Sequence, residues 1–440
     1  MVYIQSKYTS SLHGEVTIPG DKSISHRSLI LGSCANGITS INNLLESEDV
    51  LATLNALQKL GIKIVKTNNV WKVFGNGLGA ISGQHQILDL GNSGTGARLL
   101  MGLVAGSDLK ATFTGDKSLS HRPMGRIIEP LLETGAEINS EKNTLPLTIF
   151  GSKIPLPITY HSKISSAQVK SAVLIAGLTS TGITTFYEPI QSRDHTERML
   201  NFMGAKIKSE KTTDKGWKVS LEGLPNLRNS EFEVPNDPSS AAFPIVSALI
   251  LPKSDLTIKN VCINKLRTGF IKTLVEMGGN IKAINKRDLC GDNVADLKIK
   301  SSDLHGINIP SERAPTMIDE YPIISVAACF AKGKTIMNGI KDLRNKETDR
   351  IKEVVENLNR LKIKTESSDD KMSIQGIESN SIDGGIEIDS KLDHRIAMSF
   401  LCLGLLSKKP ITVKNAETIN SSFPKFCSSM RNIGAKINYL

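Results

Sequence analysis

One short phrase recurs six times along the chain and limits its fold more than any other feature. It reads LQKLGIKI at 57–64, LLETGAEI at 131–138, LNFMGAKI at 200–207, LVEMGGNI at 274–281, LNRLKIKT at 358–365 and MRNIGAKI at 430–437. In each copy apolar residues at helical spacing run up to a pivot, and a short β-prone alternation follows. The pivots are Gly61, Gly135, Gly204, Gly278, Lys362 and Gly434. Glycine just past a helix end takes the left-handed conformation, which satisfies the last carbonyls without a Cβ clash. The phrase therefore predicts helix, stop, strand. Lys362 departs from the pattern and needs either a positive φ or a different cap.

Successive pivots lie 69 to 84 residues apart. That is too long for a solenoid repeat of about 20–50 residues, and long enough for two helices with several strands. At 440 residues the chain also exceeds what one compact core supports. Six units thus divide into two domains of three. The clearest boundary is VPNDPSSAAFP at 234–244, where three prolines and an Asn-Asp pair interrupt the pattern. The sixth unit has nothing after Leu440 to complete it, so the strand GEVTIPG at 14–20 is expected to be lent back across the boundary. The expected domains are residues 1–19 with 237–440, and residues 20–236.

The formal charge is +10 and the pI about 9.1. Such a balance fits either a nucleic-acid binder or an enzyme of small anions. The lysines are scattered with no long basic run, and aromatics make up only 5%, so a base-stacking surface is disfavoured. Six cysteines form no CxxC pair, which leaves zinc or thioredoxin-like chemistry unsupported. No secretory leader and no run of about 18 apolar residues is present. A cytoplasmic protein without membrane or nucleic-acid partners, and without a metal, is expected.

Charged and small residues gather where apolar helices begin. GDKSISHR at 20–27 is written almost identically as GDKSLSHR at 115–122. The first copy puts Lys22, Ser23 and Arg27 at a helix start, where free N–H groups and the dipole favour an anion. Plain capping by Asp21 or Ser23 explains the same residues about as well. GNSGTGAR at 91–98 is a glycine-rich turn, though not a P-loop or dinucleotide fingerprint. SSAQVKSA at 165–172, RDHTE at 193–197, MIDEYP at 317–322, KETDR at 346–350 and DHRIAMSF at 393–400 repeat the theme. Singly each is a solvated cap or a surface ion pair. Their recurrence in every unit favours convergence on one anionic site.

In this order the motifs resemble the 5-enolpyruvylshikimate-3-phosphate synthase family, in its second bacterial branch, over essentially the whole chain. The resemblance implies an α/β fold of two domains, each an inside-out α/β barrel of three βαβαββ units closing over the substrates. It implies transfer of the enolpyruvyl group of phosphoenolpyruvate to the 5-hydroxyl of shikimate 3-phosphate, with release of phosphate through a tetrahedral ketal. That step lies on the shikimate route to chorismate and the aromatic amino acids. Carried over residue by residue, Lys22, Ser23, Arg27, Ser165, Ser166, Gln168 and Arg193 resemble shikimate 3-phosphate contacts. Lys22, Gly94, Arg122, Gln168, Arg350 and Arg395 resemble the phosphoenolpyruvate side, and Lys346 a group near both substrates. Asp319 matches the proton acceptor, which also touches shikimate 3-phosphate, and Glu347 the proton donor, with Lys22 assisting. No cofactor is implied, and a monomer is expected. Gly94 is the small residue that in the family leaves room for glyphosate, so sensitivity is expected. Ser421 and Ser422 stand before Phe423-Pro424, where some relatives have a lysine, and no cation is carried over there.

The sister family that uses UDP-N-acetylglucosamine normally has Lys-Asn near the N-terminus and a cysteine in the second unit's loop. Here Lys22 precedes Ser23, and ATFTGDKSLSHRPMGR has no cysteine. A basic repeat protein binding RNA explains the charge, but not carboxylates inside the anion-site motifs.

Overall fold

The computed structural model describes residues 1–79, 81 and 83–440. All six pivots lie in the left-handed region: φ is 89° at Gly61 and Gly135, 96° at Gly204, 97° at Gly278, 62° at Lys362 and 105° at Gly434. Lys362 thus adopts the glycine conformation itself. The pivots follow the helices Glu48–Lys59, Gly125–Glu133, His195–Phe202, Gly269–Glu276, Arg350–Arg360 and Phe426–Asn432, each burying one face. The stop is made by the backbone. Ile62 N–H donates to the Leu57 carbonyl, and Ile363 N–H to that of Leu358, both at 3.0 Å. These are the six-to-one bonds that a left-handed residue permits.

A second set of helices is buried almost all round: Lys22–Cys34, Gly94–Ala105, Ala167–Gly177, Pro238–Ile250, Tyr321–Cys329 and His394–Leu403. Apart from His26 and Arg27 in the first of them, Arg98 in the second and scattered serines, they carry little polar side chain beyond the first turn, and helices so largely apolar belong in a core. Small residues let them approach closely. A Cβ on Gly102 would stand 2.3 Å from the Ala172 carbonyl oxygen, so only glycine fits where those two helices meet. Five of the six start at a side-chain cap. Asp21 accepts from Ile24 N–H at 2.8 Å, Ser93 from Gly96 at 3.2 Å, Ser166 from Val169 at 3.5 Å, Asp237 from Ser239 at 3.0 Å and Asp393 from Arg395 at 2.9 Å.

Among the described residues, six four-stranded sheets share one plan. In one, Gly83–Asp89 runs parallel to Leu109–Thr114, which pairs antiparallel with Leu147–Phe150, which pairs antiparallel with Glu137–Asn139. A parallel pair needs a long crossover, and the Gly94–Ala105 helix supplies it. Three sheets take a strand from far along the chain. Glu231–Glu233 lies parallel to Asn36–Asn42, and Tyr3–Lys7 lies between Ile411–Lys414 and Lys436–Tyr439, antiparallel to both. The strand expected at 14–20 is shorter, His13–Glu15, and pairs with Asp255–Cys262. Pro19, without an N–H to give a ladder, lies in the part that is not strand. It is Tyr3–Lys7 that completes the last sheet.

The chain divides into two units. One comprises Met1–Pro19, Pro235–Arg287 and Asn293–Leu440, and the other Gly20–Val234 with Asp288–Asp292. Three of the sheets belong to each, and each has its own apolar core.

Candidate active site

The Gly20–Val234 unit brings together the starts of its three buried helices. Lys22 opens the first, and its Nζ donates to Asp49 Oδ2 at 2.8 Å. Ser23 follows, partly buried. Arg27, one turn further, is only 3% exposed. Its guanidinium donates to the Ser23 carbonyl at 2.9 Å, to Thr196 Oγ1 at 2.7 Å and to Ser171 Oγ at 2.7 Å. It therefore clasps three helices. His26 is wholly buried beside Thr53, at 2.8 Å; burial, then the charges of Lys22 and Arg27, hold its pKa well below the usual histidine value.

The second helix start is the glycine turn. Gly94 stands against Arg122: a Cβ there would lie 2.8 Å from Arg122 Nη1 and 3.2 Å from Arg98 Nη1. Arg122 donates to Asn92 Oδ1 at 2.5 Å and to Ser118 Oγ at 3.3 Å, so the second octapeptide docks on the turn. The third start is tied to the second. Arg98 Nη1 donates to Gln168 Oε1 at 2.8 Å, and Gln168 Nε2 to Thr95 Oγ1 at 3.0 Å. Ser166 is the helix cap, and Ser165 Oγ accepts from Ile190 N–H at 2.9 Å, which draws the loop bearing Arg193 alongside.

The other unit gathers the second group around one guanidinium. Arg350, 2% exposed, reaches Asp319 Oδ1 at 3.4 Å, Glu347 Oε2 at 2.6 Å and Asp393 Oδ2 at 2.8 Å. Burial alone would favour loss of its proton, but Asp393, Glu347 and Asp319 outweigh that and raise its pKa. Lys346 Nζ lies 2.8 Å from Asp342 and 3.7 Å from Asp319. Asp393 both caps the His394–Leu403 helix and holds Arg350, while Thr348 Oγ1 donates to it at 3.0 Å. Arg395 donates to the Ser239 carbonyl at 3.1 Å and lies over the Phe243 ring. Asp319 and Glu347 thus sit on two arms of the same cation.

All fourteen residues singled out in the sequence are described, nine in one unit and five in the other. Four supporting residues were not singled out: Asp49, Arg98, Asp393 and the Ser171–Thr196 pair's Ser171. Asp393 was visible only as a helix cap, and Arg98 only as the end of GNSGTGAR. Nothing in the sequence ties Asp49 to Lys22, because a tertiary contact makes that pair. Five of the six thiols are buried, as apolar surroundings suggest, and burial raises Cys34 to about 11 and Cys402 to about 12. Among the described residues no helix is long and apolar enough to cross a membrane, and no cluster of three His, Cys, Asp or Glu could hold a metal ion.

Residues 7–430 match the family described as EPSP synthase (3-phosphoshikimate 1-carboxyvinyltransferase). The chain is 50% identical over 430 residues to a 3-phosphoshikimate 1-carboxyvinyltransferase of Bartonella tribocorum, covering 98% of this chain and 97% of that one. It is likewise 50% identical over 429 residues to one of Parvibaculum lavamentivorans, covering 97% and 95%. An EPSP synthase structure from Acinetobacter baumannii superposes with a TM-score of 0.88 at 39% identity, covering both chains completely.

Proposed function

This chain belongs to the EPSP synthase family and acts as a 3-phosphoshikimate 1-carboxyvinyltransferase of the shikimate pathway, and from that premise we propose how its residues carry the transfer. Shikimate 3-phosphate is held by Lys22, Ser23, Arg27, Ser165, Ser166, Gln168 and Arg193. Phosphoenolpyruvate is held by Lys22, Arg122, Gln168, Arg350 and Arg395, with Gly94 leaving space beside Arg122. Both substrates carry phosphate and carboxylate, and like charges a few ångströms apart repel by several kcal/mol wherever water is excluded. Many cations are needed to offset that. Arginine supplies planar two-point contacts and lysine a point charge.

In the addition step Asp319 takes the proton of the 5-hydroxyl as its oxygen bonds to C2 of phosphoenolpyruvate. Glu347 gives a proton to the methylene carbon, which becomes a methyl group. Lys22 and Lys346 stabilise the negative charge on the resulting ketal. In the elimination step the methyl group returns a proton to Glu347, the C2–O bond to phosphate breaks, and phosphate leaves with the bond's electron pair and takes up the proton held by Asp319. The observation that supports this division of labour most directly is the shared guanidinium, with Asp319 and Glu347 on separate arms of Arg350. A phosphoenolpyruvate carboxylate arriving at Arg350 would loosen its hold on both acids as the chemistry begins. We place the enzyme in the cytoplasm as a monomer.

The test is phosphate release from the purified chain. It should need both substrates together. Asp319→Ala and Glu347→Ala should each lower kcat by about 10²–10⁴, the usual worth of a general acid or base, while changing either KM far less. Full turnover in either variant removes that residue from its role.

A further inference from the structure

The first turn of the Ala167–Gly177 helix carries a lysine that the transfer chemistry does not use. Lys170 has no exposed surface at all. A cation in that position must be compensated, and it is, by groups from three other places in the chain. Its Nζ donates to Glu188 Oε1 at 2.9 Å and to the Ser192 carbonyl at 3.2 Å, and Glu197 Oε1 lies 2.7 Å away. Glu188 Oε1 also accepts from Ser192 N–H at 2.9 Å. Burial alone would lower the ammonium pKa, but Glu197 and Glu188 outweigh it and hold the group charged.

The partners bracket Arg193. Glu188 ends the strand Ile183–Glu188, Ser192 is the residue before Arg193, and Glu197 lies in the first turn of His195–Phe202. A second tie runs parallel to the first, one residue along each helix. Ser171 Oγ lies 2.7 Å from Thr196 Oγ1, and Arg27 donates to both. The loop 189–193 is therefore pinned at its start and at its end, and the same helix pair seats Arg27. Apolar residues fill buried space at less electrostatic cost than an ion cluster, so such a cluster is a poor source of stability and a good means of specifying geometry.

We propose that Lys170 is a positioning residue for shikimate 3-phosphate: it fixes the backbone that presents Arg193, and through the neighbouring Ser171–Thr196 contact it fixes Arg27. The inference rests on the reading in which those two arginines meet that substrate. An arginine on a pinned backbone loses less freedom when it binds, and small displacements of such a group are costly.

The experiment uses the full chain and steady-state phosphate release. Lys170→Met combined with Glu197→Leu removes the ammonium together with one carboxylate and leaves Glu188 bonded to Ser192. The expected result is a rise in KM for shikimate 3-phosphate of at least about tenfold, with KM for phosphoenolpyruvate within about twofold of the parent and a native circular dichroism spectrum. A folded double variant with an unchanged KM for shikimate 3-phosphate overturns the proposal, and so does an equal rise in both KM values. Should the double variant not fold, Lys170→Arg keeps the charge but cannot reach all three acceptors from one point. The same selective rise then supports the proposal, and parent-like constants overturn it. Arg193→Ala, measured in parallel, separates the two layers. If it leaves KM for shikimate 3-phosphate unchanged, the reading of the ligand contacts has failed rather than the positioning.

Discussion

Arg350 illustrates what single residues contribute and how little of it can be read in advance. Its charge, its place in KETDR and its neighbour Glu347 three residues back are plain in the sequence, yet its other two carboxylate partners, Asp319 and Asp393, come from distant segments. Lys22 is the same case, since Asp49 lies on another helix. Residue types and helix starts were legible; the pairings were not, because they depend on which segments fold against each other. Gly94 offers a test at this scale. Its missing side chain leaves Arg122 Nη1 room that a Cβ would enter at 2.8 Å. Gly94→Ala should raise KM for phosphoenolpyruvate by about tenfold, the effect of displacing one charged contact worth about 1.4 kcal/mol. It should raise the glyphosate concentration giving half inhibition by at least as much. An alanine variant with the parent's KM for phosphoenolpyruvate would show that Arg122 tolerates the methyl group and that the space is incidental.

At the scale of the element, the six stops were the most legible feature of all. Backbone geometry at a helix end is local, so a glycine in the right place is nearly sufficient information. Lys362 is the exception that measures the rule. It holds φ at 62° with its side chain exposed, so the left-handed backbone strain is not repaid by buried contacts. Lys362→Gly removes the Cβ clash, worth about 1–2 kcal/mol, and adds back about 0.5–1 kcal/mol of chain entropy. A net gain of roughly 0.5–1 kcal/mol should raise Tm by about 1–4 °C in a unit of this size. A lower Tm, read by calorimetry on both proteins, would mean that the lysine makes a contact offsetting its strain. The buried helices were half legible. Their apolar runs and caps could be read, but whether a cap such as Asp393 also supports a guanidinium could not.

For the whole molecule, the repeat count followed from the pivots and the α/β class from the family resemblance, and the membership of each sheet from neither. The hairpin tip Asp288–Asp292, counted with the Gly20–Val234 unit, left no mark in composition or pattern; its Asp292 pairs with His195 at 2.8 Å. Strand exchange was anticipated but assigned to residues 14–20, whereas the strand that closes the last sheet is Tyr3–Lys7. A five-residue run of mixed polarity gives no local hint that it is a central strand. Its importance is measurable. Gln5 faces Thr412 on one side and Asn438 on the other, and proline cannot serve both ladders. Gln5→Pro should cost about 1–3 kcal/mol, the worth of a lost ladder hydrogen bond that leaves its partner unsatisfied, seen as a lower midpoint in urea. An unchanged midpoint would show that the sheet does not depend on that strand.

The same strand bears on how the protein is made. Ile4 leaves the ribosome long before its ladder partner Tyr439, since chains grow at roughly 5–20 residues per second. For tens of seconds the nascent YIQSK segment has no ladder to join. The part of the chain carrying Lys22 and Arg122 can meanwhile collapse on its own core, so the half bearing the Arg350 cluster is the one exposed to chaperones and proteases until Tyr439 has been made.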